Sequence, residues 1–154
     1  MLSLPTPPIT APGVSILAGF TPDAANAEQG EFFGYLSGTS MSTPHVAGIA
    51  ALLLEANPDW SPAALRSAMM TSAYQEVVQQ DGETPANPFD FGAGHLQPNA
   101  AVKPGLLFDA GADDYDAFGC GLEEPIPDQA RCDELAAAGR SFDAIQFNQA
   151  SIAI

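Results

Sequence analysis

The run Gly38-Thr39-Ser40-Met41-Ser42-Thr43-Pro44-His45-Val46-Ala47-Gly48, continued through Ile49 to Leu54, constrains this chain more than any other stretch. It predicts a helix over Thr43 to Ala56, with Pro44 in the first turn, where a missing N–H costs nothing, and Asn57-Pro58 as the stop. Val46, Ala47, Ile49, Ala50, Ala51, Leu52, Leu53 and Leu54 make that helix apolar on every face, so it is expected to be buried on most sides. Ser40 stands just before it, after the turn at Gly38. Unpaired N–H groups and the positive dipole end make a helix start favourable to negative charge. Acyl transfer needs such a place, because its tetrahedral intermediate puts an oxyanion next to the nucleophile. From position alone, the plainer reading of Ser40 is a helix cap.

The remaining segments are shorter. Pro5, Pro7, Pro8 and Pro12 keep Met1 to Pro12 out of regular structure. A turn at Pro12-Gly13 leads into the β-prone run Val14 to Ala18, Thr21 to Gly30 reads as a surface loop, and Phe32 to Leu36 reads as a strand delivering the chain to Ser40. Ser61-Pro62 supplies a cap and a first-turn proline for a second helix reaching about Ala73. Gln75 to Pro88 reads as a mobile polar loop, and Asp128 to Ala138 as a short helix. There are no internal repeats.

With 154 residues, 46% of them hydrophobic, the chain has enough material for one ordinary domain with its own core. Its formal net charge of −15 repels nucleic acid and anionic membrane surfaces, so neither is expected as a partner. No apolar run is long enough to span a bilayer, and Met1 to Pro8 does not have the make-up of a signal peptide. Cys120 and Cys132 read either as two unrelated thiols or as one disulfide closing a short loop. Neither histidine lies near them in sequence, which argues against a metal site there.

The run around Ser40 resembles, almost residue for residue, the nucleophile segment of subtilisin-like serine peptidases (subtilases). Ile9-Thr10-Ala11-Pro12-Gly13-Val14 and Pro88-Phe89-Asp90-Phe91-Gly92-Ala93-Gly94-His95 resemble two further blocks of that family. Pro104 to Asp109, Asp114-Tyr115 and Cys120-Gly121 are similar to its plant-type, cucumisin-like branch. The resemblance implies an α/β fold: a partial subtilisin-like architecture, the C-terminal slice of a mainly parallel sheet with flanking helices. It implies that residues 1–140 are the C-terminal part of a catalytic domain and that 141–154 begin a fibronectin type III-like domain. Ser40 would be the catalytic serine, Gly38 and Thr39 would line the cleft, and Met41 would face the leaving-group side. The substrate would be a polypeptide, the parent protein secreted, and no cofactor or metal is called for.

In the family the triad histidine and aspartate and an oxyanion-hole asparagine all precede the serine. The 39 residues before Ser40 hold one aspartate, Asp23, outside any matching motif, and no histidine. His45, five residues beyond Ser40 on the predicted helix, and His95, after a Gly-Ala-Gly turn, both read as structural. Asp113, Asp114 and Asp116 lack the glycine and distal glutamate of an EF-hand and read as a solvated turn or helix cap. The chain is therefore expected to be inactive by itself, with the upstream part of the catalytic domain as its partner. Without it, the apolar helix predicts self-association, a covering partner or partial disorder. A non-catalytic binding or structural module, or a truncated gene product, is the alternative.

Overall fold

The structure is a computed structural model and describes residues 8–23, 29–79 and 81–147. Two short strands come first, β1 (Ile16–Gly19) and β2 (Phe33–Leu36), followed by helix α1 (Thr39–Ala56) and helix α2 (Pro62–Thr71). Two single-turn helices, α3 (Pro88–Phe91) and α4 (Pro98–Ala101), precede α5 (Ala112–Cys120) and α6 (Gln129–Ala137), and Ala144–Gln146 forms a 3-10 turn.

Among the described residues the only regular ladder is antiparallel, Ile16 opposite Leu36 and Gly19 opposite Phe33. This differs from the mainly parallel sheet expected. β2 is the next described element after β1, and successive strands with no helix between them pair as a hairpin, whereas parallel pairing needs a crossover. Parallel pairing survives at one isolated bridge, Thr10 with His95. His95 also bridges Tyr74 in the antiparallel sense, so residues 93–96 tie the start of the chain to the end of α2. Gly94 makes this junction possible: its φ is +133°, and an added Cβ would lie 2.4 Å from the Tyr74 carbonyl oxygen.

The core sits between α1, α2 and this junction. Leu53, Met69, Leu96 and Ala101 are buried together, with Ile9, Val46, Ile49 and Leu65 packed around them. α2 begins as the sequence predicts, the Ser61 hydroxyl oxygen accepting the Ala64 N–H at 3.0 Å. α1 is not buried on most sides. Leu53 is its one fully buried residue, while Leu52 and Leu54 are 60% and 43% exposed. The described residues supply neighbours for only one side of this helix, so its opposite apolar side faces solvent.

The predicted mobile loop after α2 is instead folded back on itself, with Val78 bridged to Pro85 and the Asp81 carboxylate accepting the Glu83 and Thr84 N–H groups. α5 and α6 form a separate pair. Cys120 and Cys132 are joined by a disulfide, and Arg131 reaches Asp113, Asp116 and Glu134 at 2.6, 2.9 and 3.0 Å. Those three carboxylates hold the guanidinium above its already high ordinary pKa. Asp114 accepts the Gly111 N–H at 2.8 Å and so works as a helix cap. Phe147 lies against Tyr115 and Phe118 on α5. Apart from Phe147, the strand expected to open a further domain (147–154) lies outside the described residues.

Candidate active site

Ser40 is placed by Gly38. This glycine adopts φ 154° and ψ 171°, serves as the N-cap of α1 and offers no side chain to cap it. The helix therefore starts at Thr39, four residues earlier than the sequence predicts, and Ser40 is its second residue instead of lying ahead of its first turn. Proline does not delay the start. Pro44 sits inside the helix, where its absent N–H forgoes only the bond to the Ser40 carbonyl. The cap reading of Ser40 is excluded, because Gly38 holds that position.

The Ser40 side chain is exposed, and among the described residues its hydroxyl has no hydrogen-bond partner. It opens onto a hollow of about 310 Å³ walled by Ser40, Met41, Pro44 and His45 from α1 and by Ile16, Leu17 and Ala18 from β1. Gly38 and Thr39 are exposed beside it without lining it. The β1 wall was not anticipated from sequence. Its only signal was the β-prone run after Pro12-Gly13, which gave no indication of packing beside Ser40. The Met41 and Ser42 N–H groups are taken by the Gly38 carbonyl at 3.0 and 3.4 Å. Those of Thr39 and Ser40 are unclaimed among the described residues, as the first donors of a helix without a side-chain cap should be.

Three backbone-directed bonds fasten this turn to the segment before β1. The Gly38 N–H donates to the Gly13 carbonyl at 2.8 Å, the Ser15 N–H to the Ser37 hydroxyl oxygen at 2.9 Å, and the Ser42 hydroxyl to the Ala11 carbonyl at 2.9 Å. Gly13 has to be glycine for this approach, since an added Cβ would lie 2.1 Å from the Ser42 hydroxyl oxygen.

Neither histidine is arranged as a base for Ser40. The His45 Nδ1 lies 2.8 Å from the Met41 carbonyl oxygen and donates to it, which fixes the ring along its own helix. His95 stands at the junction with Thr10 and Tyr74, its ring centroid 5.2 Å from that of Tyr74. Burial holds its pKa below the ordinary value of 6.5. Asp23 is exposed in a turn and does not line the hollow. Among the described residues no group of His, Cys, Asp or Glu is arranged to hold a metal ion, and no helix is long and apolar enough to cross a membrane.

Ser40 thus stands on the first turn of α1, its hydroxyl unpartnered among the described residues, beside a hollow whose far wall is β1. Residues 5–94 match the subtilase family, and the chain is a member of that family with a partial α/β subtilisin-like fold. It is 50% identical over 121 residues to the subtilisin-like protease SBT3.11 of Arabidopsis thaliana, a match covering 74% of this chain and 16% of that protein. To SBT1.7 of the same plant it is 40% identical over 164 aligned positions, covering 96% of this chain and 21% of the relative. The chain thus spans about a sixth to a fifth of the length of these relatives. Among solved structures it is similar to fervidolysin from Fervidobacterium pennivorans, a keratinolytic enzyme related to subtilisin. There the identity is 28% and the TM-score 0.46, with 60% of this chain and 14% of the other covered.

Proposed function

We propose that this chain carries the nucleophile of a secreted subtilisin-like serine endopeptidase and that Ser40 is that nucleophile. The observation that carries the reading is the unpartnered Ser40 hydroxyl at the first turn of α1, facing an open hollow, with the Thr39 and Ser40 N–H groups free beside it. Ser40 Oγ attacks a peptide carbonyl, and the Ser40 N–H helps to hold the oxyanion that forms. The base takes the Ser40 hydroxyl proton and passes it to the departing amine as the C–N bond breaks, and water then hydrolyses the acyl-enzyme that remains. Both histidines here are engaged elsewhere, so the base, its orienting aspartate and the second oxyanion donor come from sequence outside these 154 residues. Residues 1–140 then belong to the catalytic domain, and 141–154 lead into a fibronectin type III-like domain. Gly38 and Thr39 flank the bound polypeptide, and Met41 lies toward the leaving group.

Alone, the chain should turn over substrate poorly or not at all, because losing the base of a serine triad costs several powers of ten in rate. The test is labelling by a fluorophosphonate with a polypeptide carrying the family's upstream aspartate and histidine segments supplied in trans. Label on Ser40 that disappears in Ser40→Ala supports the reading; a folded complex that takes no label refutes it. The exposed Leu52, Leu54, Phe33 and Tyr35 favour one other reading, a non-catalytic binding module, which predicts a defined ligand or oligomer and no label.

A further inference from the structure

The start of α1 lacks two supports that most helices have. Its N-cap glycine has no side chain to accept a first-turn N–H, and Pro44 provides no N–H for the Ser40 carbonyl. A helix start so weakly held from within takes its position from whatever grips it from the side. Ser42 is the helix residue that makes this lateral bond. The carbonyl four residues before it, that of Gly38, already accepts from Met41 and Ser42 backbone N–H groups. Thr43 bends back onto the Thr39 carbonyl at 2.9 Å, but Ser42 instead sends its hydroxyl across to the Ala11 carbonyl of another segment. Ser40 and Ser42 are two residues apart, so their side chains leave the helix about 200° apart, on nearly opposite sides. One faces the hollow while the other grips the chain behind it.

We propose that Ser42 is a positioning residue: by binding the Ala11 carbonyl and seating against the bare Cα of Gly13, it holds the first turn of α1 at the height that points Ser40 into the hollow. The inference rests on the reading of Ser40 as nucleophile and adds to it a residue that touches neither substrate nor base. It also gives Ser42 a reason to be serine, since an alanine there would keep the helix and lose the grip.

The test uses the full chain and two readouts. The first is amide hydrogen exchange at Gly38, whose N–H is bonded to Gly13, with the amides of α2 as an internal reference. The second is the rate of fluorophosphonate labelling at Ser40 with the upstream segments supplied. Ser42→Ala should speed Gly38 exchange and slow labelling, each by about five- to tenfold as expected for one hydrogen bond, while α2 exchange stays the same. Ser42→Thr, which keeps the hydroxyl, should recover most of both. Unchanged Gly38 protection and labelling in Ser42→Ala overturn the proposal. So does a uniform rise in exchange across α1 and α2, because Ser42 would then support the fold as a whole. A chain that takes no label even with Ser42 intact refutes the nucleophile reading instead; Gly38 exchange, read without label, tells the two failures apart.

Discussion

Gly13 and Ser42 touch so closely that the hydroxyl of one occupies the place where the other would carry a Cβ: the distance would be 2.1 Å, with the Gly38 carbonyl oxygen at 2.9 Å. Gly13→Ala should therefore push the 11–13 segment away from α1. The expected loss is about 1–3 kcal/mol, as for other overpacking changes, read from urea unfolding. Adding Ser42→Ala removes the nearer of the two obstacles, so the double variant should be more stable than the sum of the single losses predicts. Strict additivity would mean that the hydroxyl is not what excludes the methyl group.

Gly94 is constrained in a different way. Its φ of +133° is strained for any other residue, and an added Cβ would meet the Tyr74 carbonyl at 2.4 Å. That carbonyl accepts the His95 N–H at 2.8 Å, so it cannot retreat without opening the junction that holds Thr10, Tyr74 and His95 together. Gly94→Ala should cost roughly 2–4 kcal/mol from strain and crowding combined. Circular dichroism melting would show it, and a variant melting with the wild type would mean the junction yields more easily than its bonding suggests.

The disulfide joins α5 and α6 across a separation of 12 residues. By the loop-closure relation, replacing both cysteines with alanine should remove about 3 kcal/mol from that pair. The loss should be local. Hydrogen exchange in α5 and α6 should accelerate while α2, whose core partners lie elsewhere, keeps its protection. Equal acceleration in α2 would show that the two halves of the chain unfold as one unit.

Legibility in the sequence followed how local each cause was. Ser61 and Pro62 announce α2 because cap and first-turn proline act within four residues, and Asp114 caps α5 for the same reason. The start of α1 was misplaced by four residues because Pro44 reads as a first-turn signal, while the actual start is set by the Gly38 backbone, which no side chain advertises. The β1 wall of the hollow and the bond from Ser42 to Ala11 were invisible for a further reason. Both join residues more than twenty positions apart, and periodicity carries no information on which distant segment lies behind a helix. The pairing of β1 with β2 shows the same limit: each strand was readable, their antiparallel register was not.

His95 gives the chain a predictable response to mild acid. Burial lowers its pKa below 6.5, and its neighbours, the Thr10 hydroxyl and the Tyr74 ring, bring no negative charge to hold a proton. The unfolded chain therefore binds a proton more readily than the folded one between the folded pKa and 6.5. Stability in that window rises with pH. The contribution is complete above 6.5 and is lost as the pH falls toward the folded value. Urea midpoints measured at about pH 7.5, 6.5 and 5.5 should fall with acidification in the wild type and fall less in His95→Gln. An equal slope in both proteins would assign the acid sensitivity to other groups, and a wild type that gains stability on acidification would contradict the burial of this ring.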